Sequence, residues 1–242
     1  MAAISARLRD LLARGRRVAA LTGAGISAES GVPTFRSLGG FWQNESLEDL
    51  ATPGGFARDP KRVWAWYDDR RRHISGCTPN AGHHALARFG RGHPDFRLIT
   101  QNVDGLHQAA GSMGVILLHG DLFRVRCTKE GTSREDRRVP LPEIPPRCAC
   151  GALLRPDVVW FGEALPEQAM QEATGAAHRS EVFLSIGTSA LVYPAAALPE
   201  VAKQNGAYLV EINIEETPLS PLADEVILGP AAEVLPDLLG AG

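Results

Sequence analysis

Short apolar runs recur along the chain, and each is closed by polar or glycine-rich residues. The runs cover residues 18–22, 98–100, 115–118, 182–186, 208–212 and 225–228. Segments with helical spacing of apolar residues lie between several of them, and these cover 61–74, 80–89, 167–179, 195–204 and 231–239. Strands that alternate with helices form a mostly parallel sheet covered on both faces. The sequence therefore predicts an α/β fold with a Rossmann-like, doubly wound parallel sheet.

Two stretches interrupt this alternation. Residues 37–79 are rich in aromatic side chains, and residues 124–157 carry three of the four cysteines and five prolines. Both are typical of insertions that pack into a smaller second domain. We predict a main domain formed by residues 1–37, 84–123 and 158–242. The small inserted domain would comprise residues 38–83, a helical part, and 124–157, a cysteine-containing part.

Charge and hydropathy exclude several classes of partner. The net charge of −3 gives the chain no overall basic field, so we expect no nucleic-acid partner. No apolar run approaches the ~20 residues that a spanning helix needs, so we expect no membrane partner. Residues 1–17 lack a signal-peptide core, and Leu8 and Leu12 fit an amphipathic helix there. These features predict a cytoplasmic protein.

Glycines follow the first predicted strand, where an α/β sheet commonly binds its ligand. The order Gly23, Ala24, Gly25, then Ile-Ser-Ala, fits the G-x-G-x-x-G/A turn of dinucleotide-binding proteins. The acidic residue expected about 20 positions later is absent, which weakens an ordinary dehydrogenase reading. A glycine-containing turn without a ligand is the alternative. Polar clusters after the other strands, at 101–104, 119–121, 187–189 and 213–215, favour a ligand site.

Four longer motifs resemble those of the sirtuin family of NAD-dependent protein lysine deacylases. They are TGAGISAESGVPTFR at 22–36, TQNVDGLH at 100–107, LHGD at 118–121 and VWFGE at 159–163. The resemblance covers nearly the whole chain and implies that NAD is consumed. A deacylase of this kind releases nicotinamide, O-acyl-ADP-ribose and free lysine, so the implied partners are acylated-lysine proteins or peptides.

The resemblance implies roles for the residues that follow the second and third predicted strands. His119 coincides with the family's catalytic histidine in LHGD. An imidazole with an ordinary pKa of about 6.5 is partly neutral near pH 7 and can accept a proton from a ribose hydroxyl. Asn102 would position a water, Gln101 would contact the ribose, and Asp104 would bind the carboxamide of nicotinamide.

Other residues of the motifs are implied to bind NAD or the peptide. Phe35 would shield the reactive ribose carbon, with a plain core role as its alternative, and Arg36 would face phosphate or ribose. Val159, Trp160, Phe161 and Gly162 resemble the segment that pairs with the peptide as an added strand. The remaining implied NAD contacts are Gly23, Ala24, Gly25, Ser27, Ala28, Glu29, Thr34, Trp42, Gly187, Thr188, Ser189, Asn213, Glu215 and Ala231.

Arg70 stands in the apolar stripe of the predicted helix 61–74, where an apolar residue is expected. One reading is an arginine whose stem covers the core while its head pairs with Asp or Glu. The other follows from resemblance, because Tyr67-x-x-Arg70 matches the acyl-reading pair of the sirtuin branch that removes succinyl and malonyl groups. Ala28 matches the small residue of that branch. We therefore predict desuccinylase activity alongside deacetylase activity.

The cysteines depart from the family pattern of one structural zinc held by four thiolates. Cys148 and Cys150 form the later pair, whereas Cys127 is followed three positions later by Glu130. Three thiolates with a carboxylate or a water could still hold tetrahedral zinc, and loss of the metal is the alternative. We predict one structural zinc. Cys77 is expected to be a buried small residue.

Three rival functions remain open at the level of sequence. They are mono-ADP-ribosyl transfer on the same fold, an NAD-dependent dehydrogenase, and a non-catalytic module that binds NAD or acyl-lysine. His119 and Asn102 disfavour the last, because a binding module has less use for a base and a water-positioning amide. We expect a monomer.

Overall fold

A six-stranded parallel sheet forms the centre of the computed structural model, which describes residues 4–14, 16–33 and 50–240. Its strands are β1 (Val18–Thr22), β2 (Arg97–Thr100), β3 (Ile116–Leu117), β7 (Val182–Ile186), β8 (Tyr208–Asn213) and β9 (Glu225–Leu228). They lie in the order β3-β2-β1-β7-β8-β9. Every neighbouring pair is parallel. The strand order reverses between β1 and β7, which is where a doubly wound sheet opens its ligand crevice.

Helices lie between most of these strands. They are α1 (Ala6–Ala13), α2 (Gly25–Ala28), α3 (Pro53–Arg58), α4 (Pro60–Ser75), α5 (Ala81–Gly92), α6 (Leu106–Ala109), α7 (Glu167–Arg179), α8 (Leu198–Gln204) and α9 (Ala231–Leu239). The predicted helix 195–204 begins as a 3-10 turn, Ala195–Ala197, before α8. None of the described helices combines the length and the apolarity needed to cross a membrane.

Each face of the sheet is covered by its own apolar core. Leu8 of α1, Leu86 of α5 and Leu235 of α9 are completely buried against one face. Ala173 of α7 and Leu198 of α8 pack against the other. This two-sided burial explains why the strands are almost continuously apolar, and it confirms the predicted α/β, Rossmann-like class.

A third apolar core joins the helices α3 and α4 to a small antiparallel sheet. That sheet has the order β5-β4-β6 and contains β4 (Gly120–Cys127), β5 (Ser133–Glu135) and β6 (Leu154–Val158). Trp64 of α4 is completely buried in this core, and its indole Nε1 donates to the Leu154 carbonyl over 2.7 Å. The sequence analysis did not predict these strands. The boundaries drawn at 83/84 and 123/124 fall inside α5 and β4, which run through them unbroken.

Candidate active site

Glycines allow the turns after β1 and β7 to touch each other. Gly25 N–H donates to the Gly187 carbonyl over 2.8 Å, and Gly23 N–H donates to Ile186. A Cβ on Gly25 would lie 2.7 Å from the Gly187 Cα, and Gly187 has a φ of +58°. Backbone packing therefore requires these glycines whether or not a phosphate is bound. Among the described residues, the Ala24 N–H has no acceptor, so it can face a ligand.

Gln101 and Asn102 line the end of β2 beside this crevice. Gln101 Nε2 donates to Thr188 Oγ1 over 3.1 Å and so links the ends of β2 and β7. The Asn102 amide donates to the Gly23 carbonyl over 3.0 Å and to Ser27 Oγ over 3.2 Å. Both amide hydrogens are thereby used, which leaves Oδ1 as the acceptor for a water or a ribose hydroxyl.

Asp104 is buried beneath the same crevice. Its carboxylate accepts from Ser27 Oγ over 2.7 Å and from the Leu106 N–H over 2.9 Å. Burial raises the pKa of Asp104, while these two hydrogen bonds work in the opposite direction. The Ser27 side chain therefore orients Asp104 from inside the protein, although the sequence analysis assigned Ser27 to NAD.

His119 lies immediately before β4, where the main sheet meets the small one. Its Nδ1 is 2.9 Å from the Gln101 carbonyl, which can only accept. The hydrogen therefore sits on Nδ1, and Nε2 carries the lone pair. Burial lowers the pKa of His119, so the ring is neutral at pH 7. A neutral imidazole with a fixed tautomer is suited to act as a general base.

Two buried histidines extend the polar network below the crevice. The rings of His83 and His107 are 4.9 Å apart, and His107 Nε2 is 2.9 Å from Thr22 Oγ1. Burial lowers the pKa of His83 to about 4 and that of His107 to about 3, so both are neutral. The sequence patterns had assigned neither histidine to the site. The position of His107 inside the TQNVDGLH motif is the signal that could have marked it.

Tyr67 and Arg70 lie one helical turn apart on α4. Tyr67 is buried, and its hydroxyl accepts a hydrogen bond from Trp160 Nε1 over 2.8 Å. The Arg70 guanidinium lies 4.8 Å from the centre of the Trp66 ring. Asp104 and Tyr67 both act electrostatically on Arg70, so the pair is adjacent to the polar crevice. No carboxylate of the described residues forms an ion pair with Arg70.

The segment 159–162 has little free backbone donor capacity. Val159 N–H donates to the His119 carbonyl and Phe161 N–H donates to the Ala51 carbonyl, each over 2.9 Å. Trp160 N–H donates to Glu163 Oε2, also over 2.9 Å. A peptide strand added here would therefore use the segment's carbonyls and the Gly162 N–H. The Phe161 side chain is 52% exposed and available for contact.

Other residues predicted to bind NAD are spread around the crevice or beyond it. Asn213 donates to the Thr188 carbonyl over 2.9 Å, and the Glu29 carboxylate accepts from the Ala232 N–H, also over 2.9 Å. Glu29 thus caps the start of α9, next to the buried Ala231. Ala24, Gly187 and Ser189 are half-buried, and Ala28 and Glu215 are exposed. Thr34, Phe35, Arg36 and Trp42 lie outside the described residues.

A compact group of metal-ligand side chains lies in the small sheet's loops. The ligand atoms of Cys127, Glu130, Cys148 and Cys150 are all within 4.8 Å of one another. Cys127 Sγ is 3.5 Å from Cys150 Sγ, and Cys148 Sγ is 3.8 Å from Glu130 Oε2. Tetrahedral zinc with bonds of about 2.0–2.3 Å separates its ligands by roughly 3.3–3.8 Å. The Glu130 N–H donates to Cys127 Sγ and lowers the pKa of that thiol. The donor set therefore fits zinc, whereas Cys77 stands apart and half-buried.

Known proteins share both the sequence and the architecture. The model of the Sir2 family matches residues 23–194. An NAD-dependent protein deacylase of Aquifex aeolicus is 55% identical over 208 residues, which are 86% of this chain and 87% of the relative. NAD-dependent protein deacylase 2 of Pyrobaculum aerophilum is 52% identical over 231 residues, covering 95% and 92%. A crystal structure of a Sir2 homolog–NAD complex has a TM-score of 0.91 at 46% identity, covering 98% of this chain and 93% of that one.

Proposed function

The chain belongs to the Sir2 family, and on that premise we propose that it is an NAD-dependent protein lysine deacylase whose acyl pocket accepts succinyl and malonyl groups as well as acetyl. The products would be nicotinamide, O-acyl-ADP-ribose and free lysine. A mutant Sir2 homologue that is 47% identical, with a TM-score of 0.91 and coverage of 98% of this chain and 96% of that one, was solved in complex with 2′-O-acetyl ADP ribose. That product is what acyl transfer to ADP-ribose predicts here.

The dicarboxylic part of the proposal is carried by the Arg70 guanidinium, which forms no ion pair among the described residues. The alternative reading, an arginine that pairs with Asp or Glu, needs a carboxylate within ion-pair distance. Among the described residues Arg70 has no such partner, and Asp104 acts on it only as a more distant charge. Burial lowers the pKa of Arg70, yet a guanidinium keeps its proton in proteins. A half-buried cation that forms no ion pair with a described carboxylate favours binding of an anion. The distal carboxylate of a succinyl group supplies that charge.

The chain's own residues divide the chemistry between binding and proton transfer. NAD supplies the ribose C1′ that the acyl oxygen attacks as nicotinamide leaves. Asp104 would accept from the carboxamide of nicotinamide, and Asn102 Oδ1, whose amide hydrogens are already used, would accept from a water or a ribose hydroxyl. His119 Nε2 would take the proton of a ribose hydroxyl, because its Nδ1 hydrogen is held by Gln101.

The pH dependence of the reaction follows from the lowered pKa of His119. The neutral ring is the active base, so activity is lost as the pH falls through the pKa of the folded protein. That pKa lies below the ordinary value of about 6.5. We expect kcat/KM for an acetyl-lysine peptide to be independent of pH around pH 7. At lower pH it should fall, with the midpoint of the fall below about pH 6.5. The acetyl peptide is the proper substrate, since its acyl group does not titrate. A midpoint at or above pH 7 would contradict the assignment.

Zinc content tests the metal group. Protein purified without added zinc is expected to contain about one zinc per chain by elemental mass spectrometry, since structural sites bind zinc tightly. Glu130→Ala should retain less zinc after dialysis against a chelator, because one ligand is lost. Glu143→Ala is the matched control, since Glu143 is exposed in the same loop region but outside the group. Zinc content near zero in the unaltered protein would reject the site.

The partners follow from the same chemistry. A Sir2 structure that is 32% identical, with a TM-score of 0.86 and coverage of 98% of this chain and 97% of that one, contains a deacetylated p53 peptide and 3′-O-acetyl ADP ribose. This supports acyl-lysine peptides as substrates here. The monomeric state, the cytoplasmic location and the absence of a nucleic-acid partner stay predictions from composition and charge.

A further inference from the structure

A hydrogen bond between the buried side chains of Tyr67 and Trp160 joins helix α4 to the segment 159–162. Trp160 is 3% exposed and Tyr67 is 4% exposed. We propose that Trp160 is a positioning residue that determines acyl specificity: its indole N–H occupies the Tyr67 oxygen and turns the Tyr67 hydroxyl proton toward the distal carboxylate of the acyl group. This inference rests on the proposed function. It concerns the indole side chain of Trp160, whereas the predicted role of the segment 159–162 was to pair its backbone with the peptide.

The hydrogen-bonding capacity of a phenol fixes where the Tyr67 proton can point. Its hydroxyl carries one hydrogen and can also accept, whereas an indole N–H can only donate. Trp160 Nε1 donates to the Tyr67 oxygen over 2.8 Å, so the hydroxyl proton must point away from the indole. Burial raises the pKa of Tyr67 to about 12, so the phenol keeps that proton at any working pH.

The Tyr67 proton then lacks an acceptor inside the described part of the protein. The bond from Trp160 is the one hydrogen bond recorded there for this hydroxyl. A buried donor without an acceptor is unfavourable. A ligand that supplies an acceptor removes this penalty and therefore binds more tightly. The neighbouring Arg70 also offers only donors. Together the two side chains favour an anionic acyl terminus over a neutral methyl group.

The indole itself is held firmly in place. The Arg155 guanidinium lies 3.5 Å from the centre of the Trp160 ring, and the Phe56 ring lies 5.3 Å from it. Arg155 in turn donates to both oxygens of Glu163, over 2.6 and 2.8 Å. Glu163 also accepts the Trp160 backbone N–H. A donor fixed in this way orients the phenol before the substrate arrives, which reduces the entropy lost on binding.

Trp160→Phe tests the inference, because it removes the N–H and keeps an aromatic ring. The readout is the ratio of kcat/KM for succinyl-lysine peptide to that for acetyl-lysine peptide, with KM and kcat measured separately. Trp64→Phe is the matched control: it removes another buried indole N–H, on α4 itself, that donates to the backbone carbonyl of Leu154 instead of to Tyr67. Tyr67→Phe and the double variant that combines Tyr67→Phe with Trp160→Phe complete a double-mutant cycle.

We expect Trp160→Phe to lower the ratio by about 3- to 10-fold, mainly through a higher KM for the succinyl peptide. Trp64→Phe should leave the ratio unchanged. In the Tyr67→Phe background the second substitution should have no further effect on the ratio, because the hydroxyl it acts through is gone. If Trp160→Phe does not fold, benzothienylalanine at position 160, which keeps the ring shape without the N–H, takes its place.

The outcomes separate this inference from the function on which it rests. An unchanged ratio in Trp160→Phe, with a lowered ratio in Arg70→Met, would overturn the role of Trp160 and leave the acyl-reading pair intact. An equal further loss in the Tyr67→Phe background would also overturn it. A protein that does not process succinyl-lysine at all would overturn the dicarboxylic specificity itself, and the role of Trp160 with it.

Discussion

His119→Ala is expected to lower kcat/KM for acyl-lysine peptides by about 100- to 10,000-fold, the range that a general base contributes. The Nδ1 hydrogen is held by the Gln101 carbonyl, so Nε2 is the basic atom that the substitution removes. The nearby His83 and His107 are not expected to replace it, because both side chains are completely buried below the crevice. The measurement is steady-state release of nicotinamide with acetyl- and succinyl-lysine peptides.

A matched histidine variant shows whether the loss is specific. His178 is exposed at the end of α7, away from the crevice, so His178→Ala should keep the full rate. The melting temperature of His119→Ala should stay near that of the unaltered protein, because its ring is only half-buried. Full-rate turnover by a folded His119→Ala protein would remove the imidazole from the mechanism.

Arg70→Met is expected to lower the succinyl-to-acetyl ratio of kcat/KM by about 10- to 150-fold, which corresponds to the ~1.5–3 kcal/mol of a charge-assisted hydrogen bond. Methionine keeps an unbranched apolar stem and removes the guanidinium that we propose binds the distal carboxylate. Turnover of acetyl-lysine should fall much less, since an acetyl group has no distal charge.

Arg62→Met is the control for the helix itself, because Arg62 is exposed on the same helix α4. It should leave the ratio unchanged. Equal losses on both peptides in Arg70→Met would mean that Arg70 supports the fold or the crevice in general, and the acyl-reading role would be wrong.

The parallel sheet was predictable because its strands are buried on both faces and therefore nearly continuous in apolar residues. Val182–Ile186 and Tyr208–Asn213 show this pattern, and the structure confirms both as strands. The antiparallel sheet was missed because its strands alternate apolar with charged residues. Phe123, Val125 and Cys127 are buried in the third core while Arg124 and Arg126 between them are partly exposed, a period-2 signal that could have identified β4.

The candidate site was predictable where it depends on strand ends and familiar motifs. Gln101, Asn102 and His119 follow β2 and β3, and topology brings them to one crevice. Contacts between distant parts of the chain carried no such signal. Tyr67 and Trp160 are 93 positions apart, and no periodicity relates a phenol on one helix to an indole in a loop.

The fate of NAD is the most direct test of the account. The protein is incubated with NAD and a succinyl- or acetyl-lysine peptide, and all products are followed by mass spectrometry. The account predicts one nicotinamide and one O-acyl-ADP-ribose for each lysine that is freed, with no NADH. Peptide deacylated while NAD remains intact, NADH formed in place of nicotinamide, or ADP-ribose attached stably to protein would each contradict it.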